Sequence, residues 1–483
     1  MSLPRFHRLV FLVAVLVYLV TAWNSTGYHS ADEHFQIIAF AQWKVGELAV
    51  EHLAWEFDAG IRSSFQPWIA VGVFRCAEAC GISDPFTRTL LLRLLTAAFA
   101  LIAVRGFARV TSATMDAKLQ KPYLAIAYLL WFLPFLHVRF SSESWSGLFL
   151  LVMFTTILKR GNGWAFKAGI IAGLAMLCRP PTGLIVLSAV AWMMTMRKDH
   201  LRSMLSLGLG ALVVLLLGAL LDSAFYGSFT PTTWNYVHMG FAGDAGHRFD
   251  ELPWYYYPPW IVKYAIPPIG ALILLAFVVM VLKRPKHLVV WCAVPYVLVH
   301  SFIGHKELRF LYPLADLVPW LLISAWAVIQ GTSWEKVPRA VMLGLTGILL
   351  VANLVGLSVV MTTSAGEGRV RLAEALHPLC KPGDRVGYVI DPAIAWRIVL
   401  PDFHRPKGTN EVIIDPRMPY DQLEPVDFIV LQDGVPVPFG EGGFELIALE
   451  RSEPFWSTHL MRWYTWNEGP LPWTLYRTDH SVR

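Results

Sequence analysis

Long apolar segments are the feature that most constrains the fold of this chain. A helix that crosses a bilayer needs roughly 17 to 25 mostly apolar residues. We find eleven such windows, several of them short, near residues 9–23, 88–108, 122–137, 143–158, 165–178, 181–196, 203–221, 259–282, 288–304, 310–330 and 338–361. Only 16% of the residues are charged, whereas about a quarter is usual in a soluble domain. The sequence therefore predicts an all-α polytopic membrane protein with about eleven transmembrane helices.

The positions of lysine and arginine predict how the chain is oriented. These residues collect between alternate windows, as cytoplasmic loops should, for example at Arg105 and Arg109, at Arg197 and Lys198, and at Lys283 and Arg284. The alternation holds if the apolar piece 66–82 is an interfacial or re-entrant helix, and if residues 1–23 are a span and not a cleaved signal peptide. The N-terminus is then cytoplasmic. Loops 24–87 and 222–258 and the tail after 361 lie on the opposite side, called here the outer side.

Composition also excludes several classes of function. The net charge of +5 belongs to the loops assigned to the cytoplasm, and no basic and aromatic stripe indicates a nucleic-acid partner. The five cysteines form neither a disulfide framework nor a metal-spaced set, and we expect Cys76 and Cys80, one helical turn apart, to be buried. No glycine-rich phosphate loop or acidic metal pair stands out, so we expect neither a metal nor a cofactor.

The composition changes after residue 361, where charges, prolines and short alternating runs replace the apolar windows. Candidate strands, separated by proline and glycine turns, are Arg385–Ile390, Asp427–Leu431, Phe444–Leu449 and Trp473–Tyr476. We therefore predict a transmembrane domain over residues 1–361, with interfacial helices in loop 24–87. A small mixed α/β domain over residues 362–483 is expected on the outer side.

A dense ionisable run lies between two apolar windows, at His305, Lys306, Glu307 and Arg309. A charge at membrane depth costs several kcal/mol, so this run belongs at a membrane surface and indicates a site for an anion. Lys306 and Arg309 are the candidate ligands of a phosphate leaving group. His305 is a further ligand, and Glu307 would hold the cations in place. A purely structural ion-pair network is the alternative.

The first outer loop carries the candidate catalytic acids. Asp32 and Glu33 follow the first window by a few residues, where a carboxylate can hang at the membrane surface beside a cavity. Partial desolvation would raise its pKa towards the range of a general base for a sugar hydroxyl, and Asp32 is the first choice. The alternative is that both acids simply open a surface helix. Glu56 and Arg62, later in the loop, are candidate substrate ligands.

Other polar groups lie at predicted outer turns, where arginine opposes the positive-inside bias. Arg139 and Glu143 open one window, and Arg179 lies at a turn between two others. A guanidinium there is explained by an anionic partner such as a lipid-linked phosphate, or by an ion pair or headgroup contact. The loop after window seven adds three more candidate substrate ligands, for which helix capping and interface anchoring are the structural alternatives: Asp222, Tyr226 and Trp234.

Taken in chain order, these segments resemble glycosyltransferase family 22, mannosyltransferases of the GT-C superfamily. The pieces that carry the resemblance are Asp32-Glu33 with Gln36, Trp55-Glu56 with Ile61-Arg62-Ser63, Arg93, Arg179-Pro180, Asp222 to Gly227 with Trp234-Asn235, and His305 to Phe310 with Pro313. The resemblance implies a polyprenyl (dolichyl) phosphate sugar as donor, with mannose as the sugar, and a lipid-linked glycan as acceptor. It also implies an inverting, metal-independent transfer in which the first-loop acid is the base.

Two other classes of protein remain open. A transporter or flippase of lipid-linked sugars could use the same basic cluster without transfer chemistry, and an assembly subunit could have lost catalysis. The transporter predicts that Asp32→Asn keeps activity and that both faces carry comparable polar sites. The host membrane is either a bacterial inner membrane or the endoplasmic reticulum, so the outer side is the periplasm or the lumen.

Overall fold

The computed structural model describes residues 1–242, 251–330, 338–393, 401–418, 425–435, 445–464 and 472–479. Most of these residues are helical. The helices of ten or more residues are Leu3–Asn24, Phe65–Ala79, Pro85–Ser112, Ala117–Leu129, Ser142–Lys159, Trp164–Cys178, Gly183–Thr195, Leu201–Tyr226, Thr232–Ala242, Pro267–Lys283, Leu288–Phe302, the 3₁₀ segment Leu308–Leu317, Val318–Ile329, Arg339–Thr362 and Phe455–Tyr464. Shorter helical elements are Ala31–Glu33, His34–Ile38, Ala39–Val45, Val50–His52, Trp55–Asp58, Phe132–Leu136, Pro180–Thr182, Tyr257–Tyr264, Gly366–Gly368, Arg369–Leu376 and Asp402–His404.

The predicted windows coincide with helices, but two of them are broken. The window 122–137 is interrupted after Leu129, where the side chain of Asn353 accepts from the Trp131 amide and donates to the Leu129 carbonyl. The window 259–282 is interrupted before Pro267, because a residue that precedes proline is disfavoured in the α conformation. Each break leaves a short helix on one side of it.

The number of membrane spans is smaller when length and hydropathy are applied to the described helices. Five of them are long and apolar enough to cross a bilayer: Leu3–Asn24, Pro85–Ser112, Leu201–Tyr226, Leu308–Ile329 and Arg339–Thr362. A sixth span is obtained if Pro267–Lys283 and Leu288–Phe302 count as one element, although their axes differ by 117°. The predicted number of eleven is therefore not established, while a bundle of membrane-spanning helices is.

Close helix packing in the bundle depends on small residues. The helices Trp164–Cys178 and Leu201–Tyr226 approach each other at Gly169, where a Cβ atom would lie 2.0 Å from the Leu207 carbonyl oxygen. Small residues at such crossings let two backbones come near each other, which favours association in lipid.

The loop after the first helix folds back over the bundle. Ala31–Glu33 continues into a single π-helical stretch, His34–Ile38, and then into Ala39–Val45. π-helical stretches are often found at functional sites because they re-aim side chains. Further along, the helix Phe65–Ala79 occupies the apolar piece expected at the interface, but Cys76 and Cys80 are exposed. The prediction that both cysteines are buried was wrong, since they lie on the uncovered side of this helix end.

A five-stranded mixed sheet follows the last long helix. Its strands are β1 Arg385–Val389, β2 Asn410–Ile414, β3 Phe428–Gln432, β4 Glu445–Arg451 and β5 Trp473–Asp479, in the order β2-β1-β3-β5-β4. Strand β1 runs parallel to β2 and β3, while β5 is antiparallel to β3 and β4. The sequence predicted four of these strands and missed β2, and the predicted start of β4, Phe444, lies outside the described residues. The domain boundary at 361 stays a prediction.

Candidate active site

The first loop and the ionisable run meet at Asp32 and Arg309. These residues are 277 positions apart in sequence, and Nη1 of Arg309 donates to Oδ2 of Asp32 over 2.5 Å. Both side chains are partly accessible, at 23% for Asp32 and 13% for Arg309. A carboxylate and a guanidinium therefore share one solvent-reachable point at the end of the helix bundle.

Arg309 is also held by its own segment. Its Nε and Nη2 atoms donate to the two carboxylate oxygens of Glu307 over 2.6 and 2.7 Å, a bidentate pair that fixes the plane of the guanidinium. His305 lies 3.1 Å from the same carboxylate through Nε2. Three of the four ionisable residues predicted as one cluster are thus in contact, and Nη1 of Arg309 is the nitrogen that points towards Asp32.

Glu143 joins the cluster from a third helix. It is buried at the start of Ser142–Lys159, and its Oε1 accepts from Nη1 of Arg179 over 2.7 Å and from Nη1 of Arg309 over 3.3 Å. Arg179, predicted as a phosphate ligand, is therefore engaged by this carboxylate. The sequence analysis did not select Glu143 as a site residue. The sequence feature that could have indicated Glu143 is an acid at the start of an apolar window, close to Arg139 on the predicted outer side.

Arg62 and Glu56 form the other side of the cluster. Nη2 of Arg62 lies 3.8 Å from Oδ2 of Asp32 and 3.6 Å from Oε1 of Glu56. Gln36 donates to the same oxygen of Glu56 over 2.9 Å. Asp32 is consequently flanked by two arginines, and each arginine has a second carboxylate that positions it.

The two arginines decide the charge state of Asp32. Burial opposes ionisation, yet the positive charges of Arg309 and Arg62 and the hydrogen bond from Arg309 outweigh it and hold the pKa of Asp32 below its ordinary value. The sequence analysis expected a raised pKa, and that expectation was wrong because it counted desolvation without these cations. Asp32 is therefore a carboxylate at neutral pH, and it can accept a proton.

Glu33 lies in a different environment from its neighbour. It is buried, accepts the backbone N–H of His29 over 2.9 Å and lies 3.7 Å from Arg139. Burial raises the pKa of Glu33 despite that arginine. Arg139 is itself 1% exposed and donates to the carbonyls of Gly27 and Ser25, so the pair fixes the backbone that leads into Asp32.

Lys306 lies apart from the cluster that its sequence neighbours form. The residue is 3% exposed, and its Nζ donates to the carbonyl oxygens of Leu252 and Ile303 over 2.5 Å and of Gly304 over 3.3 Å. These bonds use the three donors of an ammonium group. The structure therefore places Lys306 in a backbone-carbonyl pocket, where it joins the loop before the 3₁₀ segment to the chain around Leu252.

The residues predicted in the later loop contact the protein in two ways. Asp222 is 1% exposed and accepts from the hydroxyls of Ser63 and Ser64, the amide of Ser64 and the hydroxyl of Thr232. Tyr226 donates its hydroxyl to the carbonyl oxygen of Arg62 over 2.7 Å. Both residues thus tie the loop that carries Arg62 to the long helix Leu201–Tyr226.

Trp234 is separate from this clamp. It is 67% exposed on the helix Thr232–Ala242. On the same helix, Tyr236 presents its ring 5.9 Å from the guanidinium carbon of Arg62. This helix therefore borders the cluster through Tyr236, and Trp234 is an exposed aromatic residue two positions earlier on it.

A large apolar cavity opens next to the cluster. Its volume is about 1690 Å³, and its lining comes mainly from Pro267–Lys283, Leu288–Phe302, Leu308–Leu317, Val318–Ile329 and Arg339–Thr362. Its lining also includes His29 and Tyr312, whose side chains are 3.1 Å apart. Tyr312 follows Arg309 by one turn of the 3₁₀ segment, and His29 precedes Asp32 by three residues. The cavity wall thus includes residues three positions from Asp32 and from Arg309 along the chain.

Sequence comparison places the chain among known proteins. The sequence model of the Alg9-like mannosyltransferase family matches residues 8–381. GPI mannosyltransferase 3 of Debaryomyces hansenii is 25% identical over 68% of this chain and 60% of its own length. Mannosyltransferase APTG1 of Arabidopsis thaliana is 24% identical over 67% of this chain and 59% of its own length. The chain thus spans about 60% of the length of these two relatives.

Comparison with solved structures identifies the fold. ArnT from Cupriavidus metallidurans, in its crystal structure bound to undecaprenyl phosphate, matches with a TM-score of 0.55 at 12% identity and covers 98% of both chains. At this identity the likeness is one of fold. The apolar helices, the small sheet and this match show an integral membrane protein that shares its fold with ArnT.

Proposed function

Since the chain belongs to the Alg9-like mannosyltransferase family, we propose that it transfers a sugar, mannose, from a polyprenyl (dolichyl) phosphate carrier to a lipid-linked glycan. The observation that carries the proposal is the direct contact between Asp32 and Arg309 beside the end of a large apolar cavity. One group of this pair suits the proton of an acceptor hydroxyl, and the other suits a leaving phosphate. The site is proposed to face the periplasm or the lumen.

The donor is proposed to lie with its lipid chain in the apolar cavity and its phosphate at Arg309. A cavity of about 1690 Å³ that is lined mostly by aliphatic and aromatic residues suits a polyprenyl chain. His29 and Tyr312 in its lining lie three residues from Asp32 and Arg309, so the head of such a lipid could reach the ionic cluster. The phosphate would share Nη1 of Arg309 with Asp32, and by drawing on that nitrogen it would leave Oδ2 of Asp32 available to the acceptor.

The transfer is proposed to be a single displacement with inversion. The acceptor hydroxyl oxygen forms a bond to the anomeric carbon, its proton passes to the carboxylate of Asp32, and the bond from that carbon to the phosphate oxygen breaks. The electron pair stays on the departing polyprenyl phosphate. Arg309, with Arg179 and His305 nearby, stabilises the charge that develops on that oxygen, so departure requires no acid.

Other predicted residues act on these groups through the protein. Glu307 and Glu143 hold the plane of Arg309, and Glu56 holds Arg62. Asp222 and Tyr226 fix the Arg62 loop, and we assign them a positioning role, as we do Lys306 in its carbonyl pocket. Trp234, exposed on the helix that borders the cluster, is proposed to contact the acceptor, since an aromatic face suits the apolar side of a sugar ring.

The test is a transfer assay with the full chain purified in detergent or nanodiscs. Polyprenyl-phosphate-mannose is supplied with a panel of lipid-linked acceptors, and products are separated by mass. We expect mannose to be added to one acceptor of the panel without added metal, and expect no product with GDP-mannose as the donor. In proteoliposomes, movement of the carrier across the bilayer without a glycosylated product would favour the transporter.

The pH dependence of transfer gives a second test, because the cations around Asp32 set its pKa. Asp32 acts as a base only when ionised, so activity is present above its pKa and is lost as the pH falls through it. The wild type should therefore show no acid limb from Asp32 near neutral pH. Arg62→Gln removes one of the two flanking cations. In kcat/KM profiles we expect this change to shift the acid limb to higher pH, whereas an unshifted limb would show that Asp32 is not the titrating base.

A further inference from the structure

A chain of polar side chains crosses the interior of the helix bundle. Nε2 of His137 lies 2.5 Å from Oδ1 of Asp316, and Nδ1 of His137 lies 2.6 Å from the hydroxyl of Tyr18. Tyr18 is fully buried, and the side chains of His137 and Asp316 are 2% and 7% exposed. Ionisable groups inside a membrane bundle are costly and are commonly functional.

The hydrogen bonds of Tyr18 indicate the protonation state of this chain. Its hydroxyl also lies 3.2 Å from the Tyr128 carbonyl oxygen, which can only accept. A phenol has one hydrogen, so both contacts are satisfied together when it donates to the carbonyl and accepts from Nδ1 of His137. Nδ1 of His137 then carries a hydrogen, and Nε2 shares the second hydrogen bond of the ring with Oδ1 of Asp316.

This chain joins the first helix to the segment that carries the proposed donor ligand. Asp316 belongs to the 3₁₀ segment Leu308–Leu317, which begins one residue before Arg309. Leu311, Tyr312, Leu314 and Ala315 of that segment line the apolar cavity, and Asp316 is absent from the lining. The segment thus has a face towards the cavity and a face tied to His137.

The opposite face of the segment rests against the helix Ser142–Lys159. At Gly147, a Cβ atom would lie 3.1 Å from the Pro313 Cα atom and 3.3 Å from Oδ2 of Asp316, so glycine permits this approach. Gly147 is one turn after Glu143, which contacts Arg309. The helix Ser142–Lys159 therefore contacts the 3₁₀ segment near its start, at Arg309, and near its end, at Asp316. The Tyr18–His137–Asp316 chain holds the second of these two ends.

We propose that Tyr18, His137 and Asp316 are positioning residues that set the wall of the apolar cavity formed by Leu308–Leu317 for the donor carrier. The proposal rests on the proposed function, since it assigns the donor to that cavity. Loss of one buried hydrogen bond in the chain should let the wall segment shift. Donor binding should weaken, whereas the acceptor side, built on Asp32 and Arg62, should change little.

Tyr18→Phe is the test variant, and Tyr123→Phe is its matched control. Tyr123 is also a buried tyrosine of the bundle with a short hydrogen bond, 2.6 Å from its hydroxyl to the hydroxyl of Thr111, but it does not line the cavity. We expect Tyr18→Phe to raise the KM for the donor by about tenfold, the effect of one hydrogen bond, with kcat and the acceptor KM within about twofold. Tyr123→Phe should leave all three unchanged.

A binding measurement separates this inference from the function on which it rests. Undecaprenyl phosphate is titrated against each purified protein, and thermal stabilisation is recorded. The expected midpoint is about tenfold higher for Tyr18→Phe than for the wild type or Tyr123→Phe, and higher again for Asp316→Asn, which replaces the carboxylate that contacts His137. Equal midpoints for Tyr18→Phe and the wild type overturn the positioning role alone. A wild type that neither binds the lipid nor transfers a sugar overturns both proposals.

Discussion

Asp32→Asn should lower kcat for sugar transfer by about three orders of magnitude while leaving the KM for the donor near its wild-type value. An amide of the same shape cannot take the acceptor proton, and general-base catalysis contributes roughly 10²- to 10⁴-fold. The carboxylate is 23% exposed and flanked by Arg309 and Arg62, so its removal leaves those arginines accessible to water and should not unfold the protein. Steady-state kinetics with polyprenyl-phosphate-mannose measure the loss.

Two variants control for this result. Asp58→Asn changes an exposed carboxylate of the same loop and should leave kcat unchanged. Glu33→Gln changes the buried neighbour, which faces Arg139 and accepts the His29 amide, so it should lower thermal stability more than it lowers kcat. If Asp32→Asn kept kcat for sugar transfer within about threefold, Asp32 would not be the base.

Arg309→Gln should produce the second largest effect, a fall in kcat/KM of roughly 10²- to 10³-fold, which is typical for loss of one preorganised donor to a developing charge. Arg309 is the residue in which Asp32, Glu143 and Glu307 converge. Both the KM for the donor and kcat should change, because the phosphate is bound in the ground state and gains charge as it leaves. Arg309→Lys should recover only part of the activity, since an ammonium cannot reproduce the bidentate contact with Glu307.

Lys306 and Arg75 supply the comparisons for Arg309. Lys306→Gln removes a cation three residues away, but its ammonium donates to backbone carbonyls. We expect Lys306→Gln to lower thermal stability and to change the donor KM less than Arg309→Gln does. Arg75→Gln removes an arginine whose side chain is 56% exposed and should change neither property. Equal effects of the Arg309 and Lys306 changes on donor KM would contradict the assignment of Arg309 as the phosphate ligand and Lys306 as a positioning residue.

The sequence predicted the helices well because a bilayer requires long apolar stretches, and their ends follow from composition. It did not predict the break after Leu129, because Asn353, which satisfies the free backbone groups there, is 222 residues or more away. Strand β2 was missed because Asn410–Ile414 begins with two polar residues and has no alternating pattern. The number of spans cannot be read from hydropathy alone when several apolar helices are short.

The site could be predicted in part. A connecting loop does not need an acid pair just after the first window or a basic run before the tenth, so both stood out in the sequence. The structure brings Asp32 and Arg309 together. The sequence could not separate Arg309 from Lys306, because which of two neighbouring cations points to the cluster depends on how the 3₁₀ segment begins. Glu143 was missed because an acid in the first turn of a helix is also explained by the helix dipole.

The central claim is that one site binds the carrier phosphate at Arg309 beside the base Asp32, and a structure of the protein with bound polyprenyl phosphate tests it most directly. The account predicts a phosphate oxygen within hydrogen-bond distance of Arg309, about 3 Å, with the isoprenoid chain in the apolar cavity that His29 and Tyr312 close. A carrier bound outside that cavity, or a phosphate held away from both Arg309 and Asp32, would contradict it.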